Sequence, residues 1–262
     1  MRQLILVIML VFIIPLTIYA DDSPSEQSWK ELNHMSDQIL QLTKQEKYSE
    51  AKQLMDYFST AFLEIDFSQE GISMSALRAV ILAYENAEQS VTAAEMSIEE
   101  RIRAVTSFRL AVDALSSEYH PLWLHTEDAV ISALTDMELA ISEESEQTFQ
   151  LRLNQFLNQY EMIRPALFID TDPQQLQKLD AQITYLERNR MGDVKQEHLT
   201  DHLILMQEEW TNLYKRVKED NTDPSFWWVI FTIGSMITIS LTYVGWRKYR
   251  AEQKRVRQKN NS

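Results

Sequence analysis

Apolar residues recur every three or four positions along most of the chain, and they do not alternate with polar residues over any sustained stretch. This spacing predicts amphipathic α-helices rather than β-strands. About eight such stripes lie between residues 21 and 225, and each covers only one face, so each helix needs neighbours that bury it. The pattern predicts an all-α fold, an irregular bundle or stacked helical hairpins, with the irregular bundle favoured over a true solenoid.

Local signals predict where several helices begin and end. The residues Ser97–Glu100 have the spacing of a capping box, and Asp172 followed by Pro173 provides an N-cap and a proline at the first helical position. Pro121 predicts the start of a helix, and Pro165 predicts the end of the stripe that begins at Phe149. The inward stripe predicted for the third helix consists of Met74, Leu77, Ile81 and Tyr84.

Residues 1–20 have the pattern of a secretion signal. Arg2 precedes an apolar run, Pro15 interrupts that run, and Ala20 stands directly before Asp21. A short apolar stretch with a breaker and a small final residue predicts a signal peptide cleaved after Ala20. The alternative is an uncleaved anchor, because residues 4–20 are at the short limit of what spans a bilayer.

A second apolar segment, residues 226–246, contains no charged residue and is long enough to span a membrane. Trp227 and Trp228 stand at one end and Trp246 at the other, where aromatic rings would lie at the two headgroup levels. A basic tail, residues 247–262, follows the segment and contains Arg247, Lys248 and Arg250. The positive-inside rule therefore predicts a single-pass protein of the cell membrane, with residues 21–225 outside and the C-terminus in the cytoplasm.

The charge is divided unevenly between these parts. Residues 21–225 carry 17 basic and 38 acidic side chains, whereas the tail carries seven basic residues and one acid. A domain this acidic is unsuited to nucleic acid, because binding to phosphates requires clustered lysine and arginine. The chain has no cysteine, so disulfides, thiol catalysis and thiolate metal sites are excluded.

The sequence contains no convincing catalytic motif. His198 and His202 are spaced i and i+4 on a helix and could share a zinc ion, but polar residues at the border of an apolar stripe have the same spacing, and we predict neither a metal site nor a cofactor. His125 lies beside Glu127 and Asp128 and could act in acid–base chemistry. The alternative, which we favour, is that Trp123 pins a turn between two helices while these acids support the first helical turn.

Three stretches resemble the YpjB family of sporulation proteins from endospore-forming bacilli. They are SDQILQLTKQEKYSEAKQLMDYFSTAF (residues 36–62), RAVTSFRLAVDALSSEYHPLW (residues 103–123) and FLNQYEMIRPAL (residues 156–167). The layout of signal, helical domain and terminal span is also similar to that family. The resemblance implies a role in spore formation and a place in a membrane of the sporulating cell, and it implies no reaction.

Three functions follow as hypotheses. The first is a membrane-anchored, non-enzymatic protein whose helical domain binds a protein partner during sporulation, with another membrane protein as one candidate. The second is a ligand or metal sensor of the cell envelope that works with a membrane partner, since a tail of 16 residues is too short to be an output domain. The third is a metallohydrolase that uses His198 and His202.

Overall fold

A computed structural model of the chain describes residues 24–68, 71–117, 120–189, 196–220 and 224–259. These residues form nine α-helices and one short 3₁₀ turn, without a β-strand, and confirm the all-α prediction. The signal segment with Ala20 lies outside the described residues. The helices are α1 (Pro24–Lys44), α2 (Tyr48–Leu63), α3 (Met74–Thr92), α4 (Ile98–Ser116), α5 (Glu127–Ser142), α6 (Glu146–Asp170), α7 (Pro173–Arg188), α8 (Gln196–Asp220) and α9 (Pro224–Lys259).

Consecutive helices from α1 to α8 run in opposite directions. Most connections are short, such as the two residues 171–172 between α6 and α7, and short connections give antiparallel neighbours. Pairs of contacts between two helices confirm the directions, because a residue nearer the start of one helix contacts a residue nearer the end of the other. These contacts are Asp37–Arg109 and Asn33–Ser116 for α1 and α4, Lys52–Glu88 and Tyr84–Met55 for α3 and α2, Glu127–Lys218 and Thr135–Gln207 for α5 and α8, and Gln175–Arg216 and Gln182–His202 for α7 and α8.

This alternation gives the bundle two distinct ends. The end at which α8 finishes, called the exit end here, also holds the start of α1 and the described residues of three connections, 64–68 with 71–73, 117 with 120–126, and 171–172. The far end holds the connections that contain residues 45–47, 93–97 and 143–145. Because the number of alternating helices is even, α1 begins at the same end at which α8 leaves for α9.

The buried side chains form two cores that share α4. The N-terminal core is built from α1–α4, and Phe58 and Phe108 meet at its centre with a ring separation of 4.9 Å. The C-terminal core is built from α5–α8, and Phe156 packs edge-on against Trp210. Helix α4 gives Val105, Phe108, Ala111 and Val112 to the first core and Leu110 and Ala114 to the second.

A buried arginine closes the far end of the N-terminal core. The guanidinium of Arg101, in the first turn of α4, donates to the carbonyls of Ser90 and Val91 in the last turn of α3. It also donates to Ala93 and Met96 in the connection between the two helices, at 2.8 and 3.3 Å. The final carbonyls of a helix have no partner within it, so one side chain here satisfies several of them.

The predicted caps at two helix starts are confirmed. At α4 the Ser97 hydroxyl accepts from the Glu100 amide while the Glu100 carboxylate accepts from the Ser97 amide, which completes the capping box. At α7 the Asp172 carboxylate accepts from the Gln174 amide at 2.8 Å, and Pro173 is the first helical residue.

The prediction that Pro165 ends a helix is wrong. Helix α6 continues through Pro165 to Asp170. A proline inside a helix removes one backbone hydrogen bond and costs about 3 kcal/mol. The residues beyond it offset this cost, because Ala166 and Leu167 are fully buried in the C-terminal core and Asp170 accepts a hydrogen bond from Trp123.

Two smaller predictions need correction. Pro121 begins the 3₁₀ turn Leu122–Thr126, and α5 starts only at Glu127. In α3, Met74 and Ile81 of the predicted stripe are exposed, whereas Leu77 is buried as predicted. Most of the other buried residues of this helix are small. Close packing of α3 against α4 selects these small side chains over the larger ones. The buried residues of α3 are Ala76, Leu77, Val80, Ala83, Ala87, Ser90 and Val91.

Replacing Arg101 with methionine tests the arginine cap. The substitution keeps most of the aliphatic volume but leaves the α3 carbonyls without their donor, so we expect the free energy of unfolding to fall by about 2–4 kcal/mol. Denaturant unfolding of the full chain in mild detergent measures the change. Arg103→Met, on the same helix but less buried, is the matched control and should change stability by less than about 0.5 kcal/mol. Equal losses in the two variants would contradict the cap.

Candidate functional site

The turn His120–Thr126, called the Trp123 corner here, joins α4 to α5 at the exit end. Trp123 is fully buried, and its indole nitrogen donates to the Oδ2 atom of Asp170 at 2.6 Å. Its ring centroid lies 5.3 Å from that of Tyr214 on α8, and the Tyr214 hydroxyl lies 3.0 Å from the Thr126 Oγ1 atom. The corner therefore ties the ends of α6 and α8 to the start of α5.

Two partly desolvated carboxylates support the corner. Asp170 accepts from Trp123, and Asp113 accepts from the Leu122 amide at 2.6 Å. Burial raises the pKa of Asp170 to about 7, the indole hydrogen bond opposes this rise, and the negative charge of Asp113 adds to it. Burial also raises the pKa of Asp113, while the Leu122 amide and the nearby Arg109 oppose the increase.

An open cavity of about 580 Å³ lies beside the corner. Its lining combines apolar carbon with charges of both signs. Lys218 and Glu127, which form an ion pair, are both part of this lining. The volume is in the range of small-molecule sites, although the cavity is open on one side. The lining residues are His120, Pro121, Leu124, His125, Glu127, Asp128 and Lys218.

The structure assigns the polar groups of the corner mainly to folding contacts. Trp123 pins the turn as expected, and Glu127 and Asp128 lie in the first turn of α5. The ring of His125 is exposed, and its Nδ1 atom lies 3.1 Å from the Leu122 carbonyl. Asp113 and Asp170 are hydrogen-bonded to the corner itself, to the amide of Leu122 and the indole of Trp123. The acid–base hypothesis for His125 thus has no carboxylate presented to it by a direct hydrogen bond within the described residues.

The two zinc candidates lie on α8 in different surroundings. His202 is half-buried against α7, where its Nε2 atom lies 3.0 Å from the Gln182 carbonyl and its ring lies 4.3 Å from that of Tyr185. His198 is exposed. The part of the chain that the structure describes contains no cluster of three or more His, Cys, Asp or Glu side chains suited to a metal ion.

Helix α9 contains the predicted membrane span. Its apolar stretch Val229–Arg250 is 22 residues long, with a mean hydropathy of 1.6, and it buries nothing against the bundle. Trp227 and Trp228 lie near the start of α9. At the other end, the guanidinium of Arg250 lies 4.5 Å from the ring centroid of Trp246. Arg247 and Lys248 lie between these two residues in the sequence. The helix continues through the basic tail to Lys259.

Four hydroxyl side chains within this stretch form hydrogen bonds inside the helix. The hydroxyls of Thr232, Thr238 and Thr242 donate to carbonyls three or four residues earlier, at 2.7–2.9 Å. The Ser235 hydroxyl does the same. A hydrocarbon environment offers no water to such groups, so internal bonding is the arrangement that a lipid-exposed helix requires.

The local sequence pattern does not predict the contacts of Asp170 and Asp113. Asp170 and Asp172 stand together in the sequence like a loose calcium loop, but Asp172 caps α7 and Asp170 binds an indole 47 residues away. Asp113 is the one acid of α4 beyond its first turn and lies between apolar residues, which is the available signal that a buried polar contact exists there.

Comparison with known proteins places the chain among sporulation proteins. The family described as "Sporulation protein YpjB" matches residues 29–258. The chain is 32% identical to the uncharacterized protein YpjB of Bacillus subtilis (strain 168) over 235 residues, which cover 89% of each protein. No solved structure matches the chain with significance.

Replacing Asp170 with asparagine tests the desolvated carboxylate. Its pKa is about 7 in the folded protein and about 3.9 when unfolded, so the fold favours the protonated acid. The contribution of Asp170 to stability is therefore complete below about pH 4 and is lost as the pH rises to about 7, by at most about 4 kcal/mol. Asparagine keeps an acceptor for Trp123 without the charge, so the variant should gain stability over the wild type at pH 8 and little at pH 4.

Denaturant unfolding at the two pH values measures this difference. The control is Asp128→Asn, which removes an exposed acid in the first turn of α5, beside the corner, and should give the same small change at both pH values. An Asp170→Asn variant that is destabilised equally at pH 4 and pH 8 would show that only the hydrogen bond matters.

Proposed function

The chain belongs to the YpjB family of sporulation proteins, and we propose that it acts in sporulation as a membrane-anchored, non-enzymatic protein whose helical domain binds another protein. Membership of this family supports the sporulation role. The observation that carries the anchor is the exposed apolar stretch Val229–Arg250 of α9.

The surface of α9 supports membrane insertion. Every side chain that the structure describes in the stretch 229–250 is exposed, including Phe231, Ile237 and Leu241. Exposure of this much apolar surface to water is unfavourable by about 25 cal/mol per Å². The length of the stretch and its internally bonded hydroxyls match the needs of a bilayer, which would cover this surface.

The charges at the two ends support one orientation. The basic side chains that follow Trp246 belong on the cytoplasmic side, and the acidic bundle then lies outside the cytoplasm. Trp246 and Arg250 stack at the predicted inner interface, where an aromatic ring and a cation are both favourable. In this arrangement residues 1–20 would direct export of the bundle.

The use of buried polar groups within the bundle supports a binding role rather than catalysis. Asp113, Asp170 and Arg101 each bond to neighbouring elements of the fold. The surface outside these contacts is strongly acidic, with a net charge of −21 for residues 21–225. Such a surface attracts a basic protein surface and repels nucleic acid and anionic lipid.

The cavity beside the Trp123 corner favours a second candidate, an envelope ligand sensor. It contains charges of both signs and lies at the exit end, next to the last turns of α8. A ligand bound there would contact Lys218, only six residues before Pro224 at the start of α9. Lys218→Ala would then abolish a ligand-dependent rise in melting temperature, whereas a pure binding domain would show no such rise with any envelope metabolite.

Gene replacement in the sporulating host tests the main proposal. We expect deletion to lower spore yield, the full chain to restore it, and a chain ended after residue 223 to fail because it lacks α9. Counting heat-resistant spores measures the effect, and crosslinking of the anchored chain identifies the captured partner. Normal sporulation of the deletion strain under all conditions would contradict the sporulation role, and rescue by the shortened chain would contradict the need for the anchor.

Single cysteines test the orientation, since the natural chain has none. Met96→Cys at the far end of the bundle should react with a membrane-impermeant maleimide in intact protoplasts. Ser262→Cys in the tail should react only after lysis. The reverse pattern would contradict the proposed topology, and protection of both positions would contradict exposure of the bundle outside the cytoplasm.

A further inference from the structure

The exit end carries the two most exposed large apolar side chains among the described residues of α1–α8. Within α1–α8, as far as the structure describes them, no large apolar residue is more exposed than Leu63 at 76% and Met74 at 79%. Leu63 ends α2 and Met74 begins α3. Phe168, 42% exposed, lies near the end of α6 at the same end. These three residues are called the apolar edge here.

The apolar edge is held in place rather than exposed by local disorder. Phe67, in the connection between Leu63 and Met74, packs against Phe62 with a ring separation of 4.9 Å. The Phe67 carbonyl accepts from the Ile72 amide, and Gly71 has a φ of +68°, which a residue without Cβ adopts freely. The connection is thus folded back on the bundle while Leu63 and Met74 point away from it.

Beside Phe168, Ile169 packs against both cores, which ties this part of the edge to the rest of the bundle. The edge therefore extends across helices of both cores. Its three side chains belong to three different helices, so one flexible segment cannot withdraw them together.

Chain length places this end next to the bilayer. Four peptide steps separate Asp220 from Pro224, and they span at most about 14 Å. The start of α9 is therefore close to the end of α8, at the same end of the bundle as the other elements of the exit end. Leu63 and Met74 lie on helices of the N-terminal core, whereas α8 packs in the C-terminal core, so these two side chains and the tether lie on different halves of the molecule.

We propose that the apolar edge is a second membrane contact, which inserts Leu63, Met74 and Phe168 shallowly into the leaflet from which α9 emerges. The inference rests on the proposed membrane anchor. Glu64 and Asp66 follow Leu63 in the sequence, so the contact reaches only the boundary between headgroups and acyl chains. Because both residues are acidic, zwitterionic lipid suits the contact better than anionic lipid. Two contacts on different halves of the bundle fix its axis relative to the membrane, which one short tether alone does not.

Depth-dependent quenching of single-cysteine variants tests the contact. Leu63→Cys, Met74→Cys and Met96→Cys are each made in the full chain, labelled with an environment-sensitive fluorophore and reconstituted into phosphatidylcholine vesicles. Half of the samples contain lipid with a nitroxide on the upper acyl chain. Met96 is the matched control, because it is an exposed methionine at the far end of the bundle. We expect a blue shift and quenching at positions 63 and 74 and neither at position 96.

The outcomes separate this inference from the anchor on which it rests. Vesicle flotation shows whether α9 has inserted. Flotation with no more quenching at positions 63 and 74 than at position 96 would overturn the membrane contact and leave the anchor intact. A blue shift without nitroxide quenching that disappears at one chain per vesicle would show that a second copy covers the edge, which also overturns the contact. Failure to float would overturn both the anchor and the contact.

Discussion

The whole bundle depends on one helix that buries two faces at once. Helix α4 gives Phe108 and Val105 to the N-terminal core and Leu110 and Ala114 to the C-terminal core. A helix that is apolar on two sides has no solvated face wide enough for its polar groups, so these groups must find partners within the fold. Arg101 caps α3 at the far end, and Asp113 holds the Leu122 amide at the exit end. The same burial that joins the two cores therefore fixes both ends of α4.

The even number of alternating helices then determines what the two ends of the bundle can do. The exit end contains the start of α1, the Trp123 corner, the apolar edge and the last turns of α8, whereas the described part of the far end contains short connections and the Arg101 cap. Trp123 connects Asp170 on α6 with Tyr214 on α8, six residues before that helix ends. The corner therefore contacts the last turns of α8 before α9. No comparable connection from the far end reaches α9 among the contacts that the structure describes.

The sequence predicts the parts of this fold that depend on local chemistry. The helical class, the capping box at Ser97 and the cap at Asp172 follow from spacing within a few residues, and the structure shows each of them. Pro165 was misjudged because the energy that keeps α6 helical comes from burial of Leu167 and from Trp123, which is distant in sequence. The partner of Asp170 was unpredictable for the same reason. A local pattern contains the cost of an unfavourable residue but not the tertiary contact that offsets it.

The distribution of charge is the reason that the proposed contact with the membrane is apolar. Residues 21–225 have a net charge of −21, and charges interact over a Debye length of about 8 Å at physiological salt. In the proposed arrangement the tether holds the exit end within that order of distance from the headgroups, where anionic lipid would repel the acidic surface. Leu63 and Met74 supply an attraction that salt does not screen and that acts only on contact. The acidic sides of the bundle would then stand farther from the bilayer, where the proposed partner's basic surface could approach them from the aqueous phase.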